Sequence, residues 1–148
     1  MDTLQCNCSS LRSATRSLSL AYDEVLRPSG LKTTQYSILS RIASLGEMTL
    51  SELAEILAMD RTTMGRNLQP LERDGLVQIS IGEDRRARLV SLTARGQQAY
   101  RLAKPLWEKI QQRFEKKFGK KESKALRDLM GSIISLGREL SEENAEQV

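Results

Sequence analysis

The chain contains no histidine, and it has only two cysteines, one tryptophan, three tyrosines and two phenylalanines. Without histidine, the usual general base of nucleophilic catalysis and the usual nitrogen ligand of zinc are both missing, which removes histidine-based catalysis and zinc sites. Aromatic side chains make up 4% of the residues, too few for the stacking platforms that hold single-stranded nucleic acid. No apolar run approaches the roughly 18 residues of a membrane span, and the start lacks the apolar core of a signal peptide. A cytoplasmic location and no membrane partner are expected. A nucleophile–base pair, a phosphate-cradling glycine loop and a metal cluster are absent as well, so no enzymatic activity, cofactor or metal site is expected. Cys6 and Cys8 stand so close that a disulfide between them would be strained. In a reducing compartment they are free, metal-linked or paired across a dimer.

Lysine, too, is missing from a long central segment. None occurs between Lys32 and Lys104, and every cation there is arginine. Arginine presents a planar fork of donors suited to phosphate oxygens and guanine edges, where lysine offers a point charge.

At 148 residues, with 39% hydrophobic and 28% charged side chains, the chain is long enough for one good core plus an assembly surface. The net charge of +4 is unevenly spread. Residues 1–60 carry five basic and seven acidic groups, 61–101 eight and four, 102–124 eight and three, and 125–148 two and five. A basic middle between acidic ends points to one face meant for a polyanion, with a merely solvated surface as the alternative.

Leu11, Ala14, Leu18, Tyr22 and Val25 recur at helical spacing, so a first helix is expected from about residue 8 to Leu26, stopped by Pro28, Ser29 and Gly30. Thr33 or Thr34 can cap a second helix that turns Tyr36, Leu39, Ile42 and Ala43 inward and ends at Gly46. A short helix beginning at Ser51 leads through the turn Ala58-Met59-Asp60 into another, capped by Asp60, with Met64, Leu68 and Leu71 inward. Pro70 should bend that helix locally and Gly75 should end it. Leu76–Ile81 and Ala87–Leu92 partly alternate around Gly82–Arg86 and read as a β-hairpin. Thr93 caps a long helix that Pro105 should kink, Gly119 interrupts the pattern, and a last helix carries Leu126 to Leu140 before a polar acidic tail. The expected fold class is mainly α with a small β-hairpin wing.

These elements, taken with Leu50-Ser51-Glu52-Leu53-Ala54, Asp60-Arg61-Thr62-Thr63, Leu71-Glu72-Arg73-Asp74-Gly75-Leu76-Val77, Asp84-Arg85-Arg86 and Ser91-Leu92-Thr93-Ala94-Arg95-Gly96, resemble the multiple-antibiotic-resistance regulator (MarR) family of winged helix-turn-helix transcription factors. The resemblance covers nearly the whole chain, including Gly30-Leu31 and Gln35. It implies a DNA-binding lobe over residues 33–101 and a helical dimerisation region made of 1–32 and 102–148. It implies a homodimeric regulator, expected to act as a repressor, on pseudo-palindromic double-stranded DNA with half-sites about one helical turn apart.

On that resemblance, the helix from Arg61 to Asp74 enters the major groove, and Arg61, Thr62, Thr63 and Arg66 reach base edges or nearby phosphates. Ser51 donates to a phosphate. The hairpin places Arg86 in the minor groove with Asp84 as its orienting partner, following the family's Asp-x-Arg pattern, while Arg85 and Arg88 touch the backbone. The sequence departs from the family at Gln78-Ile79, where a further basic residue is common, and at Pro70, which puts contacts beyond Gln69 in doubt. An alternative function is a winged-helix module that binds protein rather than DNA.

Family members are released by small lipophilic compounds or by thiol-directed signals. Tyr22, Tyr36 and Tyr100 are candidate walls of a ligand site, although aromatics at helical spacing more often belong to the core. Aligned without gaps through Tyr22, Gly30-Leu31 and Gln35-Tyr36, Cys8 falls where the organic-hydroperoxide-sensing branch keeps its reactive cysteine. Tyr22 matches one tyrosine that assists that thiol; Arg12 and Thr33 replace the others. Arg12 and the helix start would favour a thiolate at Cys8, the form that reacts with peroxide. With Cys6 it could instead hold a soft metal ion. Two inert thiols are the remaining reading.

Overall fold

The computed structural model describes residues 3–147. Besides 3-10 turns at Thr3–Gln5 and Arg27–Ser29, the described residues form six α-helices and three short strands: α1 (Asn7–Leu26), α2 (Thr33–Leu45), β1 (Met48–Thr49), α3 (Leu50–Ile56), α4 (Arg61–Arg73), β2 (Val77–Ile81), β3 (Arg88–Leu92), α5 (Ala94–Phe118) and α6 (Lys120–Glu146). The described residues group into two compact units, one running to Glu108 and the other starting at Lys109. No helix among them is long and apolar enough to cross a membrane.

The first unit is built around one core. Leu26 of α1, Ile38 and Leu39 of α2, Leu53 of α3, Met64, Leu68 and Leu71 of α4, Val90 of β3 and Ala103 of α5 are fully or almost fully buried in it. The inward stripe of α4 is the one its spacing predicts. The strands form a single antiparallel sheet in the order β1-β3-β2. Val77 faces Leu92 and Ile81 faces Arg88 across the hairpin, and Met48 faces Val90 on the other side of β3.

Local chemistry fixes most element ends. Thr49 and Glu52 cap each other at the start of α3, with the Glu52 amide donating to the Thr49 hydroxyl at 3.1 Å and the Thr49 amide to the Glu52 carboxylate at 2.8 Å. The start of α2 differs from expectation. The cap position is Lys32 rather than Thr33 or Thr34. Gln35 Oε1 accepts from the Lys32 amide at 3.0 Å, and Asp23 of α1 accepts from the Thr33 amide at 2.7 Å. A carboxylate ten residues upstream does what a threonine cap would have done, and it locks the α1–α2 corner.

Between α3 and α4, Ala58 adopts a left-handed φ of 52°. The Ala58 and Met59 amides donate to Glu55 O and Ala54 O, the paired pattern in which glycine usually closes a helix. The same motif ends α4, where Gly75 (φ 72°) and Leu76 donate to Glu72 O and Leu71 O. Both interior prolines are carried inside unbroken helices, Pro70 in α4 and Pro105 in α5.

The hairpin is tied to the start of α5 at one crowded point. The Thr93 hydroxyl donates to Gly75 O at 2.5 Å and accepts from the Gly96 amide at 3.0 Å, and the Thr93 amide donates to Leu76 O at 3.2 Å. A methyl group on Gly96 would stand 1.8 Å from Leu76 O, so only glycine fits there.

In the second unit, Gly119 (φ 109°) separates α5 from α6. Ser123, 1% exposed, donates to Gly119 O at 2.6 Å. Glu115 pairs with Arg127 at 3.4 Å, and Phe114 meets Phe118 with ring centroids 5.3 Å apart. The acidic tail expected to lie outside the last helix is helical through Glu146. Leu129, Leu136 and Leu140 on the apolar stripe of α6 are at least half exposed.

Candidate nucleic-acid interface

The side of α4 that does not enter the core presents Arg61, Thr62, Thr63 and Arg66, all exposed. Asp60 holds the first turn in place. Its carboxylate accepts from the Thr63 amide and from the Thr63 hydroxyl, both at 2.7 Å. The Thr63 side chain, and then its backbone, keep the Asp60 carboxyl below the ordinary carboxylate range. One consequence narrows the role of Thr63: its hydroxyl proton is committed to Asp60, so towards a ligand this hydroxyl can only accept.

Asn67 braces the same turn by donating to Thr63 O at 2.9 Å, with a weaker contact to the Met59 sulfur at 3.9 Å. Sequence reading missed Asn67; its spacing of four from Thr63 was the available signal. Pro70 has no amide hydrogen, which leaves the Arg66 carbonyl without its helical donor. The candidate contact Ser51 lies exposed in the first turn of α3. Arg73, at the end of α4, is paired with Asp74 at 3.4 Å on an open surface.

The wing tip is shaped by Asp84. Its carboxylate accepts from the Arg86 amide at 3.0 Å, its carbonyl accepts from the Ala87 amide at 2.8 Å, and Gly82 and Ala87 close the loop. Asp84 therefore orients Arg86 through the backbone, and the Arg86 guanidinium is in no ion pair among the described residues. Arg85 and Arg86 are exposed. Arg88 is exposed as well, and its guanidinium also donates to Arg85 O at 3.0 Å, which stiffens the tip from within.

The sensing candidates are only partly brought together. Cys6 is the cap of α1, with its sulfur accepting from the Ser9 amide at 3.4 Å. Cys8 lies in the first turn, Arg12 one turn later, and both cysteines are exposed and free. Tyr22 lies fourteen residues along the same helix, a rise of about 21 Å, so within one chain it does not meet Cys8. Tyr36 stacks on Tyr100 and Trp107 with centroids 5.8 and 5.7 Å apart, inside the core. Burial pushes its hydroxyl up to about 12, with Tyr100 and Glu108 adding to the effect. An open cleft of about 630 Å³ lies elsewhere, bordered by Leu31, Arg73, Leu76, Arg95 and Leu102, with none of the tyrosines in its wall. Among the described residues there is no group of three or more metal-ligating side chains.

Comparison with known proteins agrees with this geometry. The model of the MarR family matches residues 29–87. The HTH-type transcriptional regulator YwoH of Bacillus subtilis is 33% identical over 90 residues, which span 61% of this chain and 66% of that protein. The M. tuberculosis transcriptional regulator MosR in complex with DNA is 38% identical, with a TM-score of 0.83, over 90% of this chain and 97% of MosR. MosR solved without DNA is 36% identical with a TM-score of 0.76, over 88% of this chain and 97% of that one.

Proposed function

Because this chain belongs to the MarR family of winged-helix transcriptional regulators, we propose that it works in the cytoplasm as a homodimeric repressor on pseudo-palindromic double-stranded DNA. The observation that carries the reading is the division of α4. Met64, Leu68 and Leu71 are fully buried, while Arg61, Thr62 and Arg66 stand free on the other side. The exposed guanidiniums of Arg85 and Arg86 on a stiffened wing supply a second contact, suited to the narrow minor groove. Two lobes, each residues 33–101, read the two half-sites, and residues 1–32 and 102–148 join the protomers. The exposed apolar residues of α1 and α6, such as Leu20 at 67% and Leu129 at 60%, support a partner on those helices.

The release signal is thiol-directed. Cys6 and Cys8 are exposed at the start of α1, whereas Tyr36 and Tyr100, the alternative walls for a lipophilic ligand, are engaged with each other and Trp107. The reactive species is a hydroperoxide or a soft metal ion.

Selection of bound duplexes from random DNA by the full-length protein, with and without hydroperoxide or a thiol-binding metal, tests both parts. Arg66→Ala should cost roughly 1–3 kcal/mol and change the selected sequence, and Arg86→Ala should weaken binding with less change in preference. Affinity should fall steeply with salt. Salt-insensitive binding, or none, would favour a winged-helix module that binds protein. DNA release on adding hydroperoxide, lost in Cys8→Ser, would support the thiol signal, and unchanged affinity after oxidation would remove it.

A further inference from the structure

We propose that Gly65 is a specificity-determining residue whose bare Cα seats the C5 methyl of a thymine in the major groove. The proposal rests on the DNA-binding reading of α4. Glycine is among the poorest residues for a helix interior, and Gly65 sits in the middle of α4. Two helical glycines of α6, Gly131 and Gly137, are equally open, but Gly65 alone lies on α4 beside Thr62 and Arg66. Gly75 needs a φ of 72° and Gly96 has no room for a methyl group. Gly65 is not among the residues with positive φ, and a Cβ built on it meets nothing within 4 Å. Nothing inside the protomer requires glycine there, so the space is kept for something outside it.

The position of the gap identifies its occupant. Gly65 borders the exposed side of α4, with Thr62 three residues before it and Gln69 four after, so all three are neighbours on the helix surface. Gly65 is the fifth residue of α4, past the free amides of the first turn. Its N–H is used inside the helix, and a bare Cα offers neither donor nor charge. That rules out an anion and leaves an apolar group. In the major groove the thymine methyl is the apolar group available, and a threonine methyl is one of its usual neighbours.

The test uses the duplex that full-length protein selects from random DNA. Each thymine is replaced in turn by deoxyuridine, which deletes the methyl and keeps the hydrogen-bonding edge. The wild-type protein should lose about fourfold in affinity at one thymine per half-site, the worth of one buried methyl. Gly65→Ala should bind the unmodified duplex at least that much more weakly and show no uracil effect at that position. The same variant should melt roughly 2–4 °C higher, because alanine is the better helix former and the site is open. A scan that is flat for the wild type, or one with the same sensitive thymine in Gly65→Ala, overturns the assignment. Failure to select any sequence would instead sink the DNA-binding reading beneath it.

Discussion

Gly96→Ala provides the most demanding check on how the lobe is assembled. The new methyl would stand 1.8 Å from Leu76 O and 2.8 Å from the Leu76 carbonyl carbon. A carbon–oxygen contact needs about 3.3 Å, so the start of α5 and the entrance to β2 must separate by about 1.5 Å. Both groups are backbone, and no flexible side chain can absorb the shift. Two hydrogen bonds span the gap, Thr93 N–H to Leu76 O at 3.2 Å and Thr93 Oγ1 to Gly75 O, and neither survives such a stretch. Two lost hydrogen bonds of about 1 kcal/mol each and the strain of overpacking give a loss of roughly 3–4 kcal/mol. That corresponds to a melting temperature lower by roughly 6–15 °C. Urea unfolding and calorimetry measure it directly, and DNA affinity should fall as well, because α4 ends at this junction. A variant within about 0.5 kcal/mol of the wild type would refute the close approach and with it the placement of α5.

Other substitutions probe other parts of the lobe. Leu68→Ala, at a fully buried position of α4, should cost about 2–5 kcal/mol in urea unfolding. Ala58→Gly should leave stability unchanged or raise it by up to about 1 kcal/mol in the same assay, because alanine is held at a φ of 52°; a clear loss would mean the turn has a different shape. The Tyr36 hydroxyl is raised to about 12 in the folded protein, so its contribution is complete below pH 10 and disappears as pH climbs towards 12. Tyr36→Phe should therefore unfold less steeply with alkali over that range. In acid, Asp60 works in the opposite sense: its carboxyl is lowered, so stability is lost as pH falls through the folded value, and Asp60→Asn should flatten that part of the profile.

Local signals were readable from the sequence, and contacts between distant segments were not. The alternation around Gly82–Arg86 gave the hairpin to within a residue, because a half-buried strand must alternate. Asp60 and Thr93 were legible as caps, since each bonds an amide three residues on. The cap of α2 was misplaced because its acceptor, Asp23, comes from another helix. Gly96 looked like an ordinary part of a motif, and its cause is a carbonyl twenty residues away. Thr63 was grouped with the base-reading residues, but its hydroxyl proton turned out to belong to the cap. Arg88 is exposed, and the Arg85 carbonyl that its guanidinium also meets became visible only once the wing tip had a shape.

The junction at Gly75, Leu76, Thr93 and Gly96 has one more consequence. The residues that end α4 are the residues that begin the wing, and both are fastened to the first turn of α5. The exposed side of α4 and the wing are therefore held as a single stiff tool with no wrist between them. If α4 and the wing enter two grooves as proposed, a release signal would carry the whole tool away from its mark rather than loosen one part of it. In the proposed dimer, such a signal would act on the spacing between two tools on the duplex.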